Sequence, residues 1–346
     1  MNNYEHGGDI YAYSEGVNDY SSNINPLGPP LAVREVYENA LASCAVYPDP
    51  LCRKLRNKIA FYEGVSPEQI ACGNGAADLI HRIVIWRKPK RALVLAPGFS
   101  EYEQALKLHG CEVYRHYLCE ESGFEVQEGL LGELEGMDMI FICNPANPVG
   151  NVTERGLMAR IVEIAKSNNT LLVVDECFMD FLPERASLTA MPFLAGGNVV
   201  LLKAFTKIYA MPGLRLGYCI TADPGTAAGI TASGQAWPVS SPAQACGIAA
   251  LGDEQYIAKT QNLIANERER MKAALAGLGF KTYNSRANFV FVRHENSNLK
   301  EMLLRCGILI RDCRNYPALG EGYYRFAVKG EGDNSQLIAC LEALLK

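Results

Sequence analysis

A chain of 346 residues has room for two domains at ~100–200 residues each, and 49% hydrophobic with 21% charged residues is a globular balance. Its 33 Lys+Arg against 38 Asp+Glu leave a formal charge of −5, which excludes a general nucleic-acid binder but not a small anion held by a few arginines. Twelve cysteines with no C-x-x-C pair, beside only five histidines, make neither a zinc ribbon nor the disulfide framework of a small secreted domain, and read as reduced, buried packing residues.

The chain begins MNNYEHGG, without an apolar leader, and no apolar run approaches the ~20 residues that span a bilayer. A cytoplasmic protein with no membrane partner is therefore expected. Residues 1–30 are polar and rich in Gly, Asn and Pro (SSNINPLGPP at 21–30), an extended arm that must pack on something else. A short helix is expected over 31–44, and the two prolines of YPDP at 47–50 forbid helix there. Alternating α/β follows. A short apolar run ends near Ala71, and further strands are expected at 91–97 (RALVLAP), 112–118, 139–143 (MIFIC), 171–175 (LLVVD), 198–202 and 216–221. Helical stretches lie between them, at 101–109 and 155–167 among others, which indicates a mainly parallel sheet covered on both faces. From about 243 a long helical stretch runs to 278, then come strands at 288–293 and 323–328, a segment at 308–311 and a last helix. The expected division is a large domain over 45–245 and a smaller, discontinuous α+β domain made of 1–44 and 246–346.

Ligands of open α/β sheets sit beyond the carboxyl ends of the strands, so the residues there are the candidates for chemistry. GNGAAD at 73–78 opens a helix whose first N–H groups could hold an anion, although such a turn is also an ordinary loop. MIFIC runs into NPANPVG (144–150), where two Asn-Pro pairs make either a tight turn or a mount that presents the amide of Asn147. LLVVD leaves Asp175 partly desolvated and in need of a partner. Lys207 follows in AFTK and Arg215 in PGLRLGY. Any one of these alone would be a surface charge, but Asn, Asp, Lys and Arg at successive ends of one sheet match the needs of pyridoxal 5'-phosphate. That cofactor requires a lysine for its aldehyde (Lys207), a carboxylate facing its ring nitrogen (Asp175) and a donor near its phenolic oxygen (Asn147). Its phosphate requires an anion site, for which Gly75, Ala76, Ala77, Thr206 and Arg215 are the candidates. The charge of Asp175 would keep the ring nitrogen protonated and the ring electron-accepting.

With these residues the chain resembles the fold-type I pyridoxal-phosphate enzymes, the aspartate aminotransferase superfamily. Within it the likeness is to the histidinol-phosphate aminotransferase branch and, more narrowly, to the threonine-phosphate decarboxylase family of cobalamin biosynthesis. It extends from His6-Gly7-Gly8 to the last helix, through SSNINPLGPP, YPDP, GNGAADLI, PGFSEYEQAL, DECFMDF, TKIYAMPGLRLGY, LIRDC and YYRFAVK. The resemblance implies an aspartate-aminotransferase-like fold, with a seven-stranded, mainly parallel sheet and a smaller α+β domain. It implies that Lys207 attaches the cofactor, that Asp175 and Asn147 take the roles given above, and that Phe99 stacks on the ring. Tyr47 would reach the cofactor phosphate of a neighbouring subunit, making a homodimer with shared sites. Arg325 would clamp the substrate carboxylate, and Arg311, Asn25 and His6 would bind or orient the substrate phosphate, His6 having an equal case as a structural residue of the arm.

Phe178 stands where aminotransferases of this branch have Tyr and the decarboxylases have Phe. Ala204, Val149 and Ser241 depart from the usual Ser, Thr and Asn, while Trp237 is retained. The implied reaction is decarboxylation of L-threonine O-3-phosphate, with L-serine O-phosphate as a further substrate. Transamination of histidinol phosphate or a related amino acid is the alternative, and an inert binding protein of the same fold the third reading. Cys177, two residues past Asp175, is expected in the pocket wall without a catalytic role.

Overall fold

The apolar runs become neighbouring strands of one sheet in the computed structural model, which describes residues 6–13 and 16–345. A two-residue strand of the arm, β1 (Asn18–Asp19), comes first. The large sheet follows with β2 (Ile70–Gly73), β3 (Arg91–Ala96), β4 (Glu112–Tyr117), β5 (Met139–Cys143), β6 (Leu171–Asp175), β7 (Val199–Ala204) and β8 (Gly217–Thr221). Their order is β2-β8-β7-β6-β5-β3-β4, with parallel pairing from β7 across to β4 and β8 antiparallel to both of its neighbours. Every residue of β5, β6 and β7 is buried, because helices cover both faces, and this is why these strands read as unbroken apolar runs. The helix Arg155–Ser167 begins where expected. The Glu154 carboxylate accepts from the N–H groups of Gly156 and Leu157, and Leu157, Met158, Ile161, Val162 and Ala165 turn inward.

Two of the expected helices are subdivided. The helix over 31–44 is an α-helix only over Leu31–Glu38, continued by a 3-10 turn at Ala40–Ala45. The stretch 243–278 is two helices, Ser241–Ala250 and Glu254–Gly277, the second restarted by Asp253, whose carboxylate accepts from the Tyr256 N–H at 3.0 Å.

The C-terminal strands are β9 (Lys281–Thr282), β10 (Phe289–Arg293), β11 (Ile308–Leu309), β12 (Arg311–Asp312) and β13 (Tyr323–Ala327). The expected segment 308–311 thus divides between two sheets: β11 pairs in parallel with β1, and β12 joins an antiparallel sheet of order β12-β13-β10-β9. The arm is stitched to these strands, with the Tyr20 N–H donating to Leu309 O at 2.7 Å and the Ala327 N–H to Tyr20 O at 2.9 Å. Seven of the twelve cysteines are buried, Cys44, Cys119 and Cys306 are exposed, and all are free thiols. Among the described residues no helix is long and apolar enough to cross a membrane.

Candidate active site

Parallel strands end on the same edge of a sheet, so the loops after β3, β5, β6 and β7 converge there. Together with the arm and the C-terminal sheet they enclose a cavity of about 450 Å³. Asp175 is the last residue of β6, paired in register with Cys143 of β5 and Leu202 of β7. Its carboxylate is buried and held from both sides, accepting from the Tyr102 hydroxyl at 2.6 Å and from the Cys177 N–H at 2.9 Å. Tyr102 stacks on Phe141 at 4.8 Å and meets the edge of Phe99 at 5.5 Å. Burial, and then the Asp175 charge, raise its hydroxyl well above the usual range, so it remains a proton donor to that carboxylate.

Lys207 lies in the short helix Phe205–Ile208 that follows β7, and its amine opens on the cavity. Desolvation by the cavity walls and then the charge of Arg325 push its pKa from 10.5 down to about 8, with Arg215 adding to the shift. The segment is fixed from behind, where the Asn25 N–H donates to Lys207 O at 3.2 Å and the Asn25 side-chain amide to Ile208 O at 2.7 Å.

Arg325, on β13, enters from the opposite side. It donates to the Asn147 side-chain oxygen and to Ser21 O at 2.6 Å, and lies over the Phe289 ring at 5.3 Å. Its Nε is buried with no hydrogen-bond partner. With the Asn147 oxygen engaged by Arg325, the NH2 end of that amide is the end left to serve a ligand.

Opposite them the helix Gly75–Arg87 starts with no side-chain cap on Asn74, presenting the N–H groups of its first turn. Two glycines make this corner. Gly75 has φ +80°, and a Cβ there would lie 2.6 Å from the Arg215 guanidinium. A Cβ on Gly217 would lie 2.8 Å from the Ala76 nitrogen. Only glycine at both positions lets Arg215 and the helix start share the corner.

The cavity wall thus unites Ala76, Ala77, Phe99, Asn147, Asp175, Thr206, Lys207, Arg215, Arg325 and His6 among the residues singled out from sequence, with Cys177, Phe178 and Ala204 beside them. Four others stand elsewhere. Gly75 supports Arg215 from behind. Asn25 is buried, its amide donating to Ile208 O and to the Thr260 hydroxyl, and it braces the Lys207 segment rather than facing the cavity. Arg311 donates to Asn315 at 2.8 Å and stacks on Tyr316, which itself lines the cavity, so it sits one layer behind the wall. Tyr47 is 78% exposed and stacked on Trp237 at 4.5 Å, outside the cavity of its own chain.

Several wall residues were not singled out, Tyr102, Asn23 and Glu101 among them. Tyr102 lies three positions past Phe99 in PGFSEYEQAL, one helical turn on. Asn23 lies two before Asn25 in the same polar arm and carries a buried, unpartnered side-chain oxygen. Glu101 meets His6 at 2.9 Å and pins the arm over the cavity mouth.

These residues fit pyridoxal 5'-phosphate. The corner of helix start, Thr206 and Arg215 suits a phosphate dianion, Asp175 at the other end suits a protonated ring nitrogen, and Lys207 between them carries an amine of lowered basicity. The orphaned Nε of Arg325 leaves a donor for the carboxylate of an amino-acid substrate.

Residues 15–344 match the family described as "Aminotransferase class I and II". The chain is 36% identical over 355 residues to the threonine-phosphate decarboxylase of Salmonella typhimurium, covering 99% of this chain and 97% of that protein. Among solved structures it is similar to the histidinol-phosphate aminotransferase of Clostridium acetobutylicum, with 31% identity, a TM-score of 0.88 and coverage of 94% of this chain and 98% of that one. It is also similar to the histidinol-phosphate aminotransferase of Sinorhizobium meliloti in complex with pyridoxal-5'-phosphate, with 26% identity, a TM-score of 0.82 and coverage of 94% and 89%.

Proposed function

This chain belongs to the class I and II aminotransferase family, and we propose that within it the reaction is decarboxylation of L-threonine O-3-phosphate to (R)-1-aminopropan-2-ol O-phosphate, a step of cobalamin biosynthesis in the cytoplasm. The chain is a pyridoxal-phosphate-dependent enzyme, so the open matter is which bond at Cα breaks. The observation that carries the reading is Phe178. It lies in the cavity wall, packed against Phe289 at 5.2 Å, and puts an apolar ring where aminotransferases of this branch have a tyrosine hydroxyl. The 36% identity to a threonine-phosphate decarboxylase supports it further.

When bound, pyridoxal 5'-phosphate supplies an aldehyde for an amine and a ring that takes up the electrons of a breaking bond at Cα. The chain's residues supply the rest. The N–H groups of Ala76 and Ala77, with Thr206 and Arg215, hold the phosphate, while Phe99 covers the ring. Asp175, aimed by Tyr102 and the Cys177 N–H, holds a proton on the ring nitrogen, and the Asn147 NH2 donates to the phenolic oxygen. Arg325, whose Nε is buried and unpartnered, would bind the substrate carboxylate and so orient the bonds at Cα. Lys207, which would hold the cofactor through its amine, would also be the group that returns a proton to Cα. His6 and Asn23 in the cavity wall, with Arg311 behind Tyr316, surround the substrate's phosphate end. One methyl separates threonine phosphate from serine phosphate, a difference of ~1–3 kcal/mol in an apolar pocket, so the reading includes slower turnover of L-serine O-phosphate.

Tyr47, exposed on its own chain, serves a neighbouring subunit's cofactor phosphate in this reading, which makes the active form a homodimer with shared sites. Residues 45–245 then act as the cofactor-binding domain, and 1–44 with 246–346 as the smaller one.

Release of CO2 from L-threonine O-3-phosphate without 2-oxoglutarate is the expected result. Glutamate formed only when 2-oxoglutarate is supplied as amino acceptor would establish the aminotransferase instead, the reading favoured by the likeness to the Clostridium structure.

A further inference from the structure

Away from the cavity, one carboxylate gathers an unusual set of donors. Glu120 lies in the 3-10 turn Glu120–Ser122 that leaves the large sheet after β4. Its Oε1 accepts from Lys281 Nζ at 2.7 Å and from the Tyr283 hydroxyl at 2.6 Å. Its Oε2 accepts from Arg293 at 2.8 Å and from the Tyr323 hydroxyl at 2.7 Å. Three of the donors, Lys281, Arg293 and Tyr323, are register partners in one row across β9, β10 and β13 of the C-terminal sheet, and Tyr283 directly follows β9. Partial burial acts to raise the Glu120 carboxyl, but the four donors prevail and hold it down at about 2.

The same turn ends on Phe124, whose ring meets Tyr283 at 5.4 Å, Phe291 at 5.8 Å and Tyr323 at 6.0 Å. The Gly123 carbonyl accepts from the Asn151 amide at 2.8 Å, which ties the turn to the loop that carries Asn147.

Tyr323 and Arg325 are two residues apart on β13, so both side chains leave the same face of the sheet. The next row on that face pairs Phe291 of β10 with Arg325 and Arg325 with Arg311 of β12. The face docked by Glu120 is therefore the face that sends Arg325 toward Lys207.

We propose that Glu120 is a positioning residue for the substrate carboxylate: by gathering Lys281, Tyr283, Arg293 and Tyr323 it sets how closely the sheet bearing Arg325 approaches the large sheet, whose strand β7 leads into Lys207. This rests on the reading of Arg325 as the carboxylate clamp and of Lys207 as the cofactor lysine, but not on which Cα bond breaks. A carboxylate that served only surface stability would alter melting and leave ligand discrimination untouched.

The test compares a ligand that has the carboxylate with one that lacks it, on the cofactor-loaded chain. In Glu120→Gln, KM for L-threonine O-3-phosphate should rise about tenfold, as expected when a clamp shifts by a fraction of an ångström. The amine product, 1-aminopropan-2-ol O-phosphate, titrated through the cofactor absorbance, should bind within about twofold of wild type, because Arg325 has nothing to hold in it. The absorbance of the lysine-bound cofactor should not change. Tyr323→Phe removes one of the four donors and keeps the ring, and should show the same selectivity at about two- to threefold. It decides the matter alone if Glu120→Gln does not fold. Equal weakening of both ligands, or no weakening of either, overturns the proposal. A wild-type chain whose absorbance responds to L-threonine O-3-phosphate without CO2 release defeats the proposed reaction instead, and the same comparison, made by absorbance with both ligands, still decides the role of Glu120.

Discussion

At pH 7 an ordinary lysine is almost wholly protonated, whereas Lys207, lowered to about 8 by burial and then by Arg325 and Arg215, has about one neutral amine in ten. Only the neutral amine attacks an aldehyde. The rate at which the cofactor attaches should therefore rise ~tenfold per pH unit below about 8 and level off above it, as followed by rapid-mixing absorbance. The charge of Arg325 is the largest cause after burial, so Arg325→Ala should move this midpoint upward, toward 10.5. An unmoved midpoint in that variant would mean that burial alone depresses the lysine. The same variant should raise KM for any carboxylate substrate, which separates the two jobs this one guanidinium is given.

At the scale of elements, strand ends hold their residues only if the strands are themselves anchored, and β7 has a buried ionic anchor. Lys203, four residues before Lys207, meets Glu63 at 3.0 Å and Asp180 at 3.7 Å, with the Tyr218 hydroxyl donating to the same Glu63 and Arg185 paired to Asp180. Burial alone would lower Lys203, yet Asp180 and Glu63 raise it above the ordinary lysine range. Lys203→Met would leave the buried Glu63 without its cation and Asp180 with Arg185 alone, and should cost about 3–5 kcal/mol, read as a lower urea midpoint. Lys203→Arg should recover most of that loss.

None of this network was legible in LLKAFTK, where Lys203 reads as a polar interruption of an apolar run, because its partners lie 140 and 23 residues away in sequence. Strands β5 to β7 were legible for the opposite reason, since burial on both faces writes itself as a continuous apolar run. The break at 251–253 was not, because the helical pattern resumes at once beyond it and only Gly252 and the Asp253 cap mark it. Within SSNINP the composition announced an extended arm that must pack on something, but which asparagine faces the cavity depends on the path of an extended chain. Asn23 lines it, and Asn25 turns away to brace Ile208.

For the whole molecule, the residues that do not reach their own cavity are as informative as those that do. Tyr47 and Trp237 stack on each other while 78% and 44% exposed, and Leu31, Val46 and Tyr37 nearby in sequence are 70%, 68% and 55% exposed. Large apolar side chains gathered in one exposed stretch suit a covered surface, and the proposed cover is a second copy of this chain. If Tyr47 serves the cofactor phosphate across that interface, each active site takes Lys207 from one subunit and Tyr47 from the other. Lys207→Ala alone and Tyr47→Ala alone should then each be impaired, the first without turnover. Co-refolding equal amounts of the two should restore about one quarter of wild-type activity, because half of a random mixture is heterodimer and each heterodimer holds one intact site and one doubly defective one. Activity no greater than the mean of the separate variants would mean that Tyr47 acts within its own chain or not at all. Sedimentation of the same mixture tells the outcomes apart, since a dimer that forms without recovering activity rejects the shared site while keeping the interface.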